Sequence, residues 1–87
     1  MWFVYILRCS DDSFYVGETH DVAKRLAAHN KGTAATHTSM RRPVQVAYVE
    51  ECSDRSAALK RERQLKRWSR AKKEAWIAGD LAALKTL

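Results

Sequence analysis

Apolar residues in the first twenty positions follow the pattern of two β-strands. Residues 2–7 form a continuous apolar run rich in β-branched and aromatic side chains, as expected of a buried strand. Residues 14–19 alternate, which places Phe14 and Val16 on the same face of a second strand. The polar residues between the two runs have turn chemistry. The pattern therefore predicts an antiparallel hairpin.

A helix, a loop and a third strand are predicted next. Helical spacing of apolar residues covers residues 22–31, with Asp21 as the N-cap and Gly32 at the end. Residues 32–42 are polar or small and predict a loop. In the following run, residues 44–49, alternation predicts a strand with its larger apolar side chains on one face: Val44, Val46 and Tyr48.

The second half of the chain has helical periodicity throughout. Ser53 or Asp54 is the expected N-cap of the first of these helices, and Ser69 that of the next. A Gly-Asp pair at positions 79 and 80 separates the last helix from the rest. The predicted helices cover residues 55–68, 69–78 and 81–87.

The element order β-β-α-β-α-α-α predicts an α+β fold. We expect a small three-stranded antiparallel or mixed sheet flanked by helices, in one domain that covers residues 1–87. The chain contains no GxGxxG or GxxxxGK[ST] phosphate loop. Nucleotide-dependent enzymes of those types, and a nucleotide cofactor, are therefore not expected.

Length and composition narrow the class of protein further. The longest apolar run, residues 1–7, is too short to span a membrane and lacks the flanks of a signal peptide. We therefore expect a soluble, cytoplasmic protein with no membrane partner. The two cysteines, Cys9 and Cys52, are too few for a disulfide framework, and no Cys/His cluster has zinc-ligand spacing.

Charge is concentrated in one segment. The chain has a net charge of +6, whereas residues 55–73 contain nine basic residues and one acid, a sum of +8. The rest of the chain is therefore slightly acidic. Such an asymmetry is typical of proteins that bind polyanions, most often nucleic acid. The alternative interpretation is a solvated helix face.

Glu62 is the single acid within this basic segment. Helical spacing places it on the apolar face of its helix, four residues after Ala58 and three before Leu65. A buried carboxylate needs a partner. One interpretation is an ion pair with Arg25 or a neighbouring lysine. The other is a site for Mg²⁺, which commonly takes only one or two carboxylates.

Three further residue types could take part in chemistry with Glu62. Arg25 and His29 are four residues apart on one helix and are therefore neighbours. Tyr5 and Tyr15 lie on adjacent predicted strands. A tyrosine has a free pKa of about 10, so a role as a base requires a nearby cation. The structural alternatives are an ion pair, a histidine at the edge of the core and packed tyrosines.

Taken together, these residues resemble the GIY-YIG nuclease family, and most closely its small stand-alone bacterial members. The resemblance extends from Phe3 to about Lys73. It rests on Tyr5, the run Tyr15-Val16-Gly17, Arg25, His29 and Glu62. The chain departs from the family pattern at Phe3-Val4-Tyr5, which keeps only the tyrosine of the first triplet, and at His37, where an aromatic Tyr is usual.

The resemblance implies metal-dependent hydrolysis of DNA phosphodiester bonds, in DNA processing or repair. Glu62 would bind one Mg²⁺, with Mn²⁺ as the alternative ion. Tyr5 would be the general base on a water molecule, and Tyr15 and His29 would position or relay the proton. Arg25 would stabilise charge on the phosphoryl oxygens.

The expected partner is DNA, with single-stranded or branched forms favoured over intact duplex. The reasons are that Trp68, Trp76 and His37 could stack on unpaired bases and that no element resembles a major-groove recognition helix. A partner protein is not indicated. The alternative function is a non-catalytic nucleic-acid-binding module that retains the nuclease fold. The expected nucleic-acid contacts are Gly17, Lys24, Thr38, Arg41, Arg42, Lys60, Arg61, Lys66, Arg67 and Trp68.

Overall fold

The structure is a computed structural model that describes residues 1–85. Strands and helices follow the predicted order with one additional short helix, and the α+β fold class is confirmed. The elements are β1 (Trp2–Arg8), β2 (Phe14–Thr19), α1 (Val22–Lys31), α2 (Thr36–Ser39), β3 (Gln45–Cys52), α3 (Arg55–Arg67), α4 (Arg70–Ala78) and α5 (Leu81–Leu84). No helix among residues 1–85 is long and apolar enough to cross a membrane.

The sheet has β1 at its centre, in the order β2-β1-β3. Both neighbours of β1 run antiparallel to it, which confirms the predicted hairpin. In the β1–β2 register Tyr5 is paired with Gly17, and on the other side Tyr5 is paired with Val49. Strand β2 is therefore an edge strand, and its residue Gly17 lies directly beside Tyr5 of the central strand.

A β-bulge changes which side chains of β3 point to each face of the sheet. Ile6 of β1 pairs with Tyr48, but Leu7 pairs with Val46, so one residue of β3 has no partner. Val44 consequently packs with Leu7, whereas Tyr48 packs beside Ile6 on the opposite face, and Val46 is exposed. The prediction that Val44, Val46 and Tyr48 share one face is therefore wrong. Strand β3 also extends three residues beyond its predicted end.

The sheet separates two clusters of buried side chains, because alternate residues of β1 point to opposite faces. We call the side covered by α3 the α3 face; its cluster is Val4, Ile6, Val16, Ala58 and Leu65. We call the other side, covered by α1, the α1 face; its cluster is Tyr5, Leu7, Cys9 and Val44, with Tyr15 and Leu26 packed against it.

Three predicted helix starts are confirmed by capping hydrogen bonds. The side chain of Asp21 accepts from the backbone N–H of Lys24, the third residue of α1, at 3.0 Å. Asp54 does the same for α3 at 2.8 Å, and Ser69 for α4 at 3.2 Å. Gly32 ends α1 in the left-handed region, with φ 82°, which a residue without Cβ adopts at little cost.

Two predictions of local structure need correction. The segment 32–42 contains the short helix α2, whose four residues are too few to show helical periodicity. Helix α3 ends at Arg67, one residue before its predicted end, because Trp68 has extended backbone angles. Helix α5 covers Leu81–Leu84, and residues 86 and 87 of the helix predicted at 81–87 lie outside the described residues.

Candidate active site

The Tyr5 side chain crosses from the centre of the sheet to its edge. Tyr5 is buried, with 3% of its surface exposed, and its ring lies over the paired residue Gly17 on β2. A Cβ atom at position 17 would collide with the phenol ring and its hydroxyl. Glycine is therefore required here for close approach. The Tyr5 hydroxyl consequently lies at the edge strand.

His29 connects the Tyr5 hydroxyl to helix α2. It is 1% exposed, and its Nε2 lies 3.0 Å from the Tyr5 hydroxyl oxygen. Its Nδ1 lies 2.7 Å from Oγ1 of Thr38, which is fully buried. The Tyr15 ring approaches the imidazole edge-on, with centroids 5.0 Å apart. Residues from β1, β2, α1 and α2 therefore meet around one imidazole.

The surroundings of Tyr5 disfavour its charged form. Burial raises the pKa of the Tyr5 phenol above its ordinary value, and the neighbouring Tyr15 raises it further. The Arg25 guanidinium opposes this by lowering the same pKa. The carboxylates of Glu62 and Glu18 raise it. Charges from α1, α3 and β2 thus act together on one hydroxyl.

His29 is held in its neutral form. Burial lowers the pKa of the imidazole below its ordinary value, and the positive charge of Arg25 lowers it further. A neutral imidazole has one N–H and one bare nitrogen, and can therefore accept a proton. The positive charge of the exposed Arg25 lowers the pKa of both His29 and Tyr5, so both groups lie within range of that charge.

Glu62 approaches the site from the α3 face. Its side chain is 17% exposed, and Oε1 lies 3.0 Å from Nζ of Lys66, one turn further along α3. Of the two ion-pair partners expected from the sequence, the structure contains the neighbouring lysine. Although α3 lies across the sheet from Tyr5, the charge of Glu62 acts on the Tyr5 hydroxyl. The site therefore spans both faces at the edge strand.

Glu18 is a residue that sequence reasoning missed. It follows Gly17 on β2, and its side chain is 16% exposed. One carboxylate oxygen, Oε2, is buried without a hydrogen-bond partner, while Oε1 lies 4.0 Å from Nη2 of Arg55. Strand alternation could have found it, because Glu18 shares a face with Val16 and an acid there is unusual.

The carboxylates at this edge are suited to a hard divalent cation. The charges of Glu62 and Glu18 both raise the pKa of the Tyr5 hydroxyl, and one oxygen of Glu18 is buried without a hydrogen-bond partner. Mg²⁺ requires only one or two carboxylates, since water and phosphate oxygens complete its shell. Within residues 1–85 there is no group of three or more His, Cys, Asp or Glu that could hold a metal ion. Two carboxylates are enough for an ion of this kind.

Next to Arg25 the surface has a depression of about 310 Å³ between the end of β2 and the start of α1. Lys24 lies beside it, is exposed, and forms no ion pair within the described part of the chain. The depression is lined by Thr19, His20, Asp21, Lys24, Arg25 and Ala28. Two of these lining side chains are cationic, and one of them, Arg25, also acts on Tyr5.

Four of the predicted nucleic-acid contacts are buried or are bonded to other residues of the protein. Gly17 and Thr38 are buried. Arg41 lies 2.9 Å from a carboxylate oxygen of Asp11, and Arg42 donates to the carbonyl oxygen of Ser39 at 3.0 Å. These positions hold the loop and the site in place, so their surroundings support a structural role for them.

The predicted contacts on α3 divide into two sets. Arg61 forms an ion pair with Glu50 at 2.7 Å, and its guanidinium also lies 5.2 Å from the ring centroid of Trp68. Lys66 is paired with Glu62. Lys60 and Arg67, in contrast, are exposed and without an ion pair among residues 1–85.

The outer surface of α3 has its own depression, of about 360 Å³, lined by Lys60, Arg63, Gln64, Arg67 and Trp68. Lys60 and Gln64 lie two residues before and after Glu62, and residues two apart on a helix do not share a face. This depression is therefore separated from Glu62 by the body of the helix.

Comparison with known proteins identifies the family. A sequence model described as the GIY-YIG catalytic domain matches residues 1–75. The chain belongs to the GIY-YIG family. The match includes every element that contributes to the Tyr5 site, from β1 to α3. Membership of the GIY-YIG family implies, in general terms, an endonuclease that acts on DNA and depends on a divalent metal.

Relatives of this GIY-YIG chain are small proteins of similar length. It is 46% identical over 71 residues to UPF0213 protein SSP2268 of Staphylococcus saprophyticus, and 48% identical over 71 residues to a UPF0213 protein of Staphylococcus aureus strain Mu3. In both cases 82% of this chain and 87% of the relative are covered.

A solved structure supports the fold. The solution NMR structure of UPF0213 protein BH0048 from Bacillus halodurans is similar, with a TM-score of 0.58 and 34% sequence identity. The similarity covers 99% of this chain and 95% of that one. The recognition of the family from Tyr5, Tyr15, Arg25, His29 and Glu62 is therefore confirmed.

Proposed function

We propose that residues 1–87 form one nuclease domain that hydrolyses DNA phosphodiester bonds with a divalent metal, in DNA processing or repair. The observation that supports this best is the convergence on the Tyr5 hydroxyl. His29 is hydrogen-bonded to it at 3.0 Å, and Arg25 and Glu62 both act on its pKa, although they come from different helices.

In this proposal Tyr5 is the general base. Its hydroxyl oxygen takes a proton from a water molecule, and the water oxygen attacks phosphorus. His29 lies within hydrogen-bond distance of the same hydroxyl and takes part in moving the proton, while Tyr15 packs against the imidazole and limits its orientation. The fork of donors on Arg25 stabilises the charge that develops on the phosphoryl oxygens.

Glu62 would hold the metal, Mg²⁺ or Mn²⁺, and the Glu18 carboxylate, which has one unpartnered oxygen, raises the pKa of the same Tyr5 hydroxyl. Bound there, the cation would supply Lewis-acid stabilisation of the phosphate and would offset the two carboxylate charges that raise the pKa of Tyr5. Lys66 would leave Glu62 for solvent or a phosphate, which its exposed position on the last turn of α3 allows.

Substitution Glu62→Gln tests the metal-dependent reaction. Purified protein is incubated with labelled single-stranded, duplex and branched DNA in Mg²⁺, Mn²⁺ or EDTA. We expect wild type to cleave only with metal, and Glu62→Gln to lose cleavage while its thermal unfolding is preserved, because glutamine has the same volume. Nucleic-acid binding is expected to be kept or improved, since a negative charge is removed from a positive surface.

Glu51→Gln is the matched control, because Glu51 is exposed on β3 and forms no ion pair within the described residues. It should cleave at the wild-type rate. If wild type binds DNA but no metal supports cleavage, the non-catalytic binding module is the better description. If Glu62→Gln unfolds and wild type never cleaves, Glu62 is only the partner of Lys66.

For the substrate, we propose a preference for single-stranded or branched DNA. The exposed cations Lys24, Lys60 and Arg67 provide phosphate contacts, and binding should therefore weaken steeply with salt. Trp68 lines the outer depression of α3. Arg61 and Lys72 lie over its ring, at 5.2 and 4.5 Å from the centroid, so stacking on a base requires the flexible Lys72 side chain to move.

Competition binding with the Glu62→Gln protein at fixed salt tests this preference. We expect single strands and branched DNA to displace a labelled single strand more effectively than plain duplex of equal length. Trp68→Ala should reduce that difference, because base stacking contributes roughly 1–3 kcal/mol per base. Tighter binding to plain duplex would contradict the preference and would point to a partner protein that supplies the substrate.

A further inference from the structure

Thr38 has a hydrogen-bonding arrangement that determines which nitrogen of His29 has the proton. It lies in the short helix α2, is fully buried, and its Oγ1 contacts two groups. One is the carbonyl oxygen of Ala35, at 3.2 Å; the other is Nδ1 of His29, at 2.7 Å. A hydroxyl has one proton to donate and can accept through its oxygen.

The direction of the first bond follows from chemistry. The carbonyl oxygen of Ala35 can only accept, so the single hydroxyl proton of Thr38 is donated to it. The Oγ1 atom is then left with lone pairs towards His29. The contact of 2.7 Å therefore requires that Nδ1 of His29 donates, and Nδ1 has the proton.

The direction of the second bond follows from the first. A neutral imidazole with a proton on Nδ1 has a bare Nε2, which accepts. The Tyr5 hydroxyl, 3.0 Å away, must then donate to it. The three bonds form one directed chain, from the Tyr5 hydroxyl through the His29 ring and the Thr38 hydroxyl to the Ala35 carbonyl.

We propose that Thr38 is a positioning residue that fixes the Nδ1–H tautomer of His29 and so directs the Tyr5 hydroxyl proton towards Nε2. The opposite tautomer would donate from Nε2 to the Tyr5 oxygen and would occupy a lone pair that a base needs. The consequence for the reaction rests on the proposed nuclease function, but the tautomer itself does not.

The proton movements balance. As the water oxygen bonds to phosphorus, an O–H bond of water breaks and a new O–H bond forms at Tyr5, while the original Tyr5 O–H bond breaks and an N–H bond forms at Nε2. The phosphorus bond to the leaving oxygen of the DNA strand breaks, and that oxygen takes a proton from solvent. His29 becomes an imidazolium whose Nδ1–H still donates to Thr38. The proton returns from Nε2 to the Tyr5 oxygen, and from Tyr5 to solvent, when the site is reset.

NMR spectra of the histidine ring nitrogens in ¹⁵N-labelled protein test the proposal at neutral pH, since the two tautomers have distinct ¹H–¹⁵N correlations. We expect wild-type His29 to have the proton on Nδ1. Thr38→Val removes the acceptor without a large change in shape, so the proton should shift towards Nε2. In cleavage assays this variant should lose roughly 10- to 100-fold in kcat with little change in KM.

Two further variants make the result specific. Thr38→Ser retains the hydroxyl and should restore both the Nδ1–H tautomer and the rate. Thr36→Val, on the exposed side of the same helix, should change neither. A wild-type spectrum with the proton on Nε2 would overturn the proposal even if every variant failed to fold, as would a Thr38→Val protein that keeps the Nδ1–H tautomer.

The outcome for Thr38 is distinguishable from that for the proposed function. If wild type has the Nδ1–H tautomer and Thr38→Val loses it, the positioning role is supported whether or not DNA is cleaved. A protein that shows this tautomer change but cleaves no DNA with any metal would contradict the nuclease function alone.

Discussion

The two faces of the sheet bury different kinds of side chain. On the α3 face the buried cluster is aliphatic and includes Ile6 and Leu65, both fully buried. On the α1 face Tyr5, His29 and Thr38 are equally inaccessible but are polar, and they are bonded to one another. Burial of aliphatic side chains stabilises the fold through a non-directional effect, whereas the hydrogen bonds between the polar side chains have a direction and therefore orient their protons.

This difference shows how a chain of this size accommodates a reactive site. Burial of polar groups is costly unless each one has a hydrogen-bond partner. On the α1 face the hydrogen bonds between Tyr5, His29 and Thr38 give each of these side chains a partner. The stability contribution of these hydrogen bonds is therefore small. Apolar burial supplies most of the stability, on the α3 face and by Leu7 and Val44 on the α1 face, since native proteins are stable by only about 5–15 kcal/mol.

Substitution Tyr5→Phe should have the largest effect on activity and a small effect on stability. Loss of the hydroxyl removes the proposed base, and we expect cleavage to slow by about 10²–10⁴-fold. The free energy of unfolding should fall by only about 0.5–1.5 kcal/mol, because one hydrogen bond to His29 is lost. Cleavage assays and urea unfolding measure the two effects.

Tyr48→Phe is the matched control on the α3 face, where its half-buried ring packs against Trp76 with centroids 6.2 Å apart. Its cleavage rate should equal that of wild type. A Tyr5→Phe protein that cleaves as fast as Tyr48→Phe would remove Tyr5 from the mechanism and would leave the two faces without a functional difference.

Leu65→Ala should have the opposite profile. Leu65 is fully buried in the α3 cluster, and its truncation leaves a cavity that costs about 2–5 kcal/mol of unfolding free energy. The cleavage rate per folded molecule should be unchanged at a temperature where the variant stays folded. Val49→Ala, at a position that is 40% exposed on β3, should cost below about 1 kcal/mol. A Leu65→Ala protein of wild-type stability would contradict the division between the faces.

Acidification should have the smallest effect on the free energy of unfolding, and it should act through His29 on the α1 face. The pKa of His29 is lowered in the folded state by burial and by Arg25, so at mildly acidic pH the unfolded chain binds more protons than the folded one. The stabilising contribution of neutral His29 is therefore complete above its ordinary pKa of about 6.5 and is lost as pH falls towards the folded value.

Urea unfolding between pH 7.5 and pH 5 measures this dependence. His29→Asn should flatten it, whereas His20→Gln, at an exposed position beside Trp2, should not. The cleavage rate should also fall once His29 is protonated, because Nε2 can then no longer accept from Tyr5. A free energy of unfolding that stays constant or rises over this range would show that the buried imidazole is not held neutral.

Several elements could be predicted because their causes are local. Asp21, Asp54 and Ser69 cap their helices through hydrogen bonds to residues three positions ahead, and Gly32 ends α1 through its own backbone angle. Similarly, the hairpin follows from two apolar runs with a short polar segment between them. Each of these features depends on residues within a few positions of one another.

Other features depend on contacts that no local pattern contains. The bulge opposite Ile6 and Leu7 changes which side chains of β3 point to each face of the sheet. It arises from the pairing of two strands that are about forty positions apart in the sequence. Helix α2 is too short to be recognised by periodicity, yet it places Thr38 against His29. For Glu18, strand alternation was a sufficient indication of burial, but its unpartnered oxygen was visible only in the fold.

Every element except α2, the family and the residue types of the site could be predicted from the residues alone, because periodicity, caps and the set of Tyr5, Arg25, His29 and Glu62 are properties of the chain order. In contrast, it is the fold that places the Tyr5 hydroxyl across Gly17 at the edge strand, where charges from both faces of the sheet act on it. The direction of the hydrogen bonds from Tyr5 to Thr38 was likewise a tertiary result. The physical reason is that such bonds join groups from separate elements, and their direction is set by which atoms can only accept.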